Sequence, residues 1–152
     1  MNYLKLFEDY FDKLFKYLDK YEYREIELKE GLYNPIRKQV MLGESTIKSI
    51  NDFRSKLLSM TKLLKNRVLF IRKKNYPPYG VRMWFSYSST IFWMSITKYE
   101  NDFYIVRLQI KDTYKMKFYE CNEFGGLLKF LKETIEGINN GTIKIEDIEC
   151  RI

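Results

Sequence analysis

The chain has 152 residues, 45% of them hydrophobic and 17% aromatic, with 27 Lys plus Arg against 20 Asp plus Glu; this is the composition of one folded domain over residues 1–152, and it excludes a disordered segment. It contains no His, which removes His-based catalytic triads and most zinc and non-haem iron sites. The two cysteines, Cys121 and Cys150, are too few and too far apart for a zinc-ligand set or a disulfide framework, so no metal and no cofactor is predicted.

Leu4, Phe7, Phe11, Leu14 and Leu18 recur at helical spacing, with Tyr3, Tyr10, Tyr17 and Tyr21 widening the stripe, and predict an amphipathic first helix. Its acids Glu8, Asp9, Asp12 and Asp19 argue against a secretory signal or a membrane span, and with reduced thiols the expectation is a cytoplasmic protein without membrane contact. Tyr23 to Lys29 alternates Glu25 and Glu27 with Ile26 and Leu28, which reads as a short strand. Gly31, Asn34 and Pro35 mark a turn, after which Arg37 to Leu42 returns as the second strand of a small hairpin.

Ser45 is the expected cap of a second helix carrying Ile47, Ile50, Phe53, Leu57, Met60 and Leu64 on one arc. From Arg67 the period changes to 2 and predicts strands over Arg67 to Lys73, Val81 to Ser88, Ile91 to Lys98, Phe103 to Lys111 and Lys115 to Cys121, joined by short polar turns. Asn122 then caps a last helix with Phe124, Leu127, Leu128, Leu131, Ile135 and Ile138 inward, which ends at Asn139, Asn140 and Gly141. The expected fold is α+β: an antiparallel β-meander of four to five strands packed with two N-terminal helices and one C-terminal helix.

Residues 31–82 hold 12 basic and 2 acidic side chains, so nearly all of the excess charge lies there. The densest part runs from Lys62 and Lys65 through Arg67, Arg72, Lys73 and Lys74 to Arg82, with Tyr76, Pro77, Pro78 and Tyr79 as a stiff aromatic loop. Cations neutralise phosphates and rings stack on bases, so these residues suit nucleic acid. They suit an acidic protein surface or a nucleoprotein complex equally well. A third reading makes them a solvated face that balances the acidic first and last helices.

In the sheet, Phe92, Met94 and Ile96 belong to a core face. The opposite face is expected to mix Trp93, Tyr99, Phe103 and Tyr119 with Arg107, Lys111, Lys115 and Lys117. The apolar stripes of the N-terminal helices are expected to cover part of that second face. The aromatic, glycine-rich signature of the RNA-recognition motif is absent.

Catalytic signals are sparse. Asp102, Gln109 and Lys111 supply the residue types of a metal-dependent nuclease but not their spacing. Gly125 and Gly126 could open an anion site at a helix start, or could let that helix approach its neighbours, and the second use is the commoner. Cys121 before the same helix reads as a buried structural thiol.

These features predict a small non-enzymatic binding protein, an inhibitor or adaptor that docks on a larger complex. The alternative is direct nucleic-acid binding through segment 62–82. The absence of Ala and the wealth of Lys, Asn, Ile, Tyr and Phe indicate AT-rich coding, compatible with a phage or mobile-element antagonist of host defence.

Overall fold

Strict alternation of inward apolar and outward residues from position 80 onward produces the centre of the fold. The computed structural model describes residues 12–27, 38–59, 71–74, 79–87 and 89–148, with residues 71–74 and 145 described by their backbone. Four long strands, β4 (Gly80–Tyr87), β5 (Thr90–Tyr99), β6 (Phe103–Ile110) and β7 (Met116–Asn122), form an antiparallel meander. Two short strands extend it, β1 (Tyr23–Ile26) beside β7 and β3 (Ile71–Lys74) beside β4, giving the order β1-β7-β6-β5-β4-β3.

The stretch before the second helix also forms a strand, β2 (Gln39–Val40), but not the expected hairpin with Tyr23–Ile26. It pairs with Lys98 and Tyr99, the end of β5 that runs beyond β4. The two short segments thus complete opposite sides of the meander, each satisfying backbone groups left unpaired by its neighbour.

Helix α1 covers residues 12–18, α2 Glu44–Ser59 and α3 Glu123–Asn139, followed by a 3₁₀ turn at Ile145–Asp147. All three lie on one side of the sheet. Leu18, Ile50, Phe53, Leu57, Leu127, Phe130, Leu131 and Ile135 join Val81, Met83, Phe85, Phe92, Met94, Ile96, Val106 and Leu108 in one apolar core. Phe85 stacks on Phe92 across β4 and β5, with ring centroids 5.5 Å apart, while Phe15 meets Phe53 edge-on and joins α1 to α2.

Helix α3 reaches its place through two glycines and one carboxylate. A Cβ on Gly126 would lie 2.6 Å from the Glu22 carbonyl oxygen, and one on Gly125 would enter the Tyr21 ring. The pair therefore lets α3 touch the chain between α1 and β1, as close backbone approach requires. Lys129 on α3 donates to the carbonyls of Asp19 and Tyr21 at 3.4 and 3.1 Å, placing a cation just past the C-terminal end of α1, where the helix dipole favours positive charge.

Two helix starts differ from expectation. Helix α2 begins at Glu44, and the Ile47 N–H donates to the Gly43 carbonyl, so Ser45 lies in the first turn and its carbonyl accepts from the Ser49 hydroxyl. Asn122 is the N-cap residue of α3, as expected, but its side chain makes no cap bond. The capping is done by Asp102, from the turn between β5 and β6. Its carbonyl accepts the Glu123 N–H at 2.8 Å, one carboxylate oxygen accepts the Phe124 N–H at 3.2 Å, and the other accepts the buried Tyr104 hydroxyl at 2.7 Å. Asn101 and Asp102 both have positive φ, 65° and 54°, a conformation that Asn and Asp tolerate better than most residues. The helix does end at Asn140 and Gly141, the latter with φ 81°.

Asp102→Ala is expected to cost about 0.5–2 kcal/mol, the range for losing a helix cap, measured by denaturant unfolding; an unchanged midpoint would remove Asp102 from this role. Burial also sets an alkaline limit. It pushes the hydroxyls of Tyr23, near Glu133, and Tyr119, near Glu25, up to about 12, and raises those of Tyr104 and the Cys121 thiol as well. The unfolded chain releases these protons first, so their contribution is complete below pH 9 and is lost as pH rises toward 12. Thermal melts should therefore fall steeply above pH 9 to 10, and flat melting temperatures to pH 11 would contradict this burial.

Candidate functional site

The helices leave the other side of the sheet to a different set of side chains, because each inward residue has an outward neighbour. The register aligns this outer face into rows across the strands. Trp84, Trp93, Gln109 and Met116 form one row, and Arg82, Ser95, Arg107 and Phe118 form the next. Thr97, Ile105 and Glu120 follow. Most of these residues are half-buried, unlike the fully buried Phe92, Met94 and Ile96 between them. None of the outer aromatic residues belongs to the apolar core.

Trp84 and Trp93 are direct cross-strand partners. The Arg82 guanidinium lies 4.7 Å from the centroid of the Trp93 ring, a cation–π contact that fixes both groups. Beside them is a shallow depression of about 220 Å³ lined by Arg82, Trp84, Ile91, Trp93 and Lys111. Arg107 donates to the Ser95 hydroxyl at 3.2 Å within the next row. Glu120, on this face, is paired with Arg24 of β1. At the far end Tyr99 is buried, edge-on to Phe103, and its hydroxyl accepts from Gln39 at 3.4 Å.

The sequence reading of this face needs two corrections. Tyr119 and Lys117 do not share it with Trp93. The register pairs Tyr119 with Val106 and Lys117 with Leu108, and Tyr119 packs on Phe130 of α3 at 4.6 Å while Lys117 faces Glu25 at 3.8 Å. The expected helical cover is also not found among the described residues, because the apolar residues of all three helices enter the core on the opposite side. Trp84, Ile91, Ile105 and Phe118 complete the outer face and were legible only as alternating strand positions.

Of the cations and rings singled out in the sequence, Lys62, Lys65, Arg67 and Tyr76 lie outside the described residues. Arg82 is in the depression, and Tyr79 is half-buried just before β4. Arg72, Lys73 and Lys74 form β3, where the backbone register pairs Arg72 with Arg82, Lys73 with Val81 and Lys74 with Gly80. Arg72 thus continues the row of Arg82, Ser95 and Arg107 at the sheet edge.

Gln109 donates to the Thr113 carbonyl at 2.7 Å, Asp102 caps α3 and Lys111 lines the depression, so the nuclease-like trio does not come together. Cys121 is buried and its thiol is pushed up, first by burial and then by Glu120, the opposite of an activated nucleophile. Cys150 lies outside the described residues. Among the described residues no group of three or more His, Cys, Asp or Glu side chains could hold a metal ion, and no helix is long and apolar enough to cross a membrane. Arg54, buried on α2, donates to Asn51 at 2.6 Å, and burial lowers its pKa to about 10.

The fold defines an α+β protein with helices on one side of an antiparallel sheet. No protein-family model, no curated protein and no solved structure matches the chain.

Adjacent residues of β5 test the two faces against each other. Phe92→Ala is expected to cost about 3–5 kcal/mol, as for other buried aromatic residues. Trp93→Ala, on the half-exposed side, is expected to cost no more than about half as much despite the larger ring. Equal losses in denaturant unfolding would show that the outer face is packed like the core.

Proposed function

We propose that this is a small non-enzymatic binding protein, an inhibitor or adaptor that docks in the cytoplasm on a larger complex handling nucleic acid. The observation that carries this reading is the outer sheet face, where Trp84, Trp93, Ile91, Ile105 and Phe118 stand half-exposed among Arg82, Arg107 and Lys111. Aromatic residues and Arg are the groups that dominate macromolecular interfaces. The positive balance of the face, extended at its edge by β3, favours an acidic partner. Direct nucleic-acid binding through segment 62–82 is the second reading, favoured by the register that sets Arg72 opposite Arg82.

The test compares wild type with an Arg82→Glu, Lys111→Glu variant in pull-downs from host lysate, with and without nuclease. Lys111 is exposed and contributes little to stability, and losing the contact of Arg82 with Trp93 should cost about 0.5–1 kcal/mol, so the variant should melt within a few degrees of wild type. Partner retention should fall at least about tenfold and weaken with added salt. Equal retention by the variant would remove the outer face from the reading.

Reversing Arg72, Lys73 and Lys74 to Glu separates the two routes. Binding that depends on the basic segment should fall by about tenfold or more, with the fold intact. Unchanged binding would leave those three cations as a solvated edge.

A further inference from the structure

We infer that the outer face takes single-stranded nucleic acid directly, with a base on the Trp84 and Trp93 platform and the adjoining phosphates along the row of Arg82 and Arg107. The inference rests on the reading of this face as the working surface and names the chemistry of its occupant.

Three features favour this ligand. The depression is shallow, with apolar aromatic walls and a cation on β4 and another just past β6, so it suits a flat ring whose substituents carry negative charge. Stacking on Trp requires only a π-face, which every base has. The second feature is the order of the rows. The Trp84 and Trp93 row runs beside the Arg82, Ser95 and Arg107 row, and Arg72 continues the second by register. An aromatic track beside a cationic one matches a strand whose bases and phosphates lie on opposite sides of its backbone.

The third feature is the charge of the face. Glu120 lies toward β1 and is neutralised by Arg24, and no acid lines the depression among the described residues. A duplex would present phosphates but keep its bases stacked, leaving the Trp pair unused. An acidic peptide could meet the cations, but its carboxylates carry no flat ring to match the platform.

The experiment titrates the full chain with a fluorescein-labelled oligothymidylate, reading anisotropy and intrinsic Trp fluorescence together. Competitors are a duplex of equal length and polyglutamate. The variants are Trp93→Ala, Trp93→Phe and Arg82→Gln, with thermal melts on each. The expected result is binding that quenches Trp fluorescence, prefers the single strand, and loses affinity linearly on a log–log salt plot. Trp93→Ala should weaken it roughly five- to hundredfold, while Trp93→Phe, which keeps a ring and guards against loss of folding, should retain most of it.

Equal binding of duplex and single strand, insensitive to Trp93→Ala, would overturn the inference by reducing the interaction to phosphate contacts. Binding of polyglutamate but not of the oligonucleotide, lost in Arg82→Gln, would overturn it in favour of an acidic protein partner and leave the docking reading in place. Binding of neither probe would overturn it as well, and the lysate comparison of the Arg82→Glu, Lys111→Glu variant would then decide the docking reading by itself.

Discussion

The packing of α3 against the inner face of β6 and β7 is the constraint on which the rest of the molecule depends. Phe130, Leu131 and Ile135 are fully buried there, and Tyr23 and Tyr119 close over Phe130 from β1 and β7. A helix with so many buried apolar side chains commits one side of the sheet to the core. Because strand residues alternate, the same commitment turns Trp84, Trp93, Ile105 and Phe118 to the other side. The half-buried aromatic outer face is thus a consequence of where the helices went.

The junction at the start of α3 ties three distant segments together. Gly125 and Gly126 admit Tyr21 and the Glu22 backbone, Lys129 holds the carbonyls after α1, and Asp102 reaches from the β5–β6 turn to the first helical N–H groups. Each contact replaces water around a group that folding would otherwise leave unsatisfied. At this junction Asp102 serves as a cap, Cys121 lies inside the core and the glycine pair permits close approach.

Charge and shape act together on the outer face. Arg82 is held over Trp93, and Arg107 donates to Ser95. Side chains fixed in this way lose less freedom when a ligand arrives. Two lone lysines on a loop would attract an anion as strongly at long range, but they would not set its orientation. The pairing of Glu120 with Arg24 places the negative charge of the face toward its β1 side, away from the depression.

The amino-acid sequence by itself determined the helices at residues 44–59 and 123–139, the four meander strands to within a residue or two, the core face of β5 and the concentration of positive charge, because each follows from local periodicity or composition. The tertiary structure alone decided how the strands align. Tyr119 carries the same alternation whichever side it takes, and only the turn from Lys111 to Lys115 places it opposite Val106 and inside the core. Likewise the strand at Gln39–Val40 could pair with any free edge, and the overhang of β5 beyond β4 selected it. Asp102 looked like an ordinary turn residue because its partners, Glu123 and Phe124, lie more than twenty positions away. Which face the helices cover follows from contacts of the same kind, set by chain geometry across the whole sheet and invisible to any window of neighbouring residues.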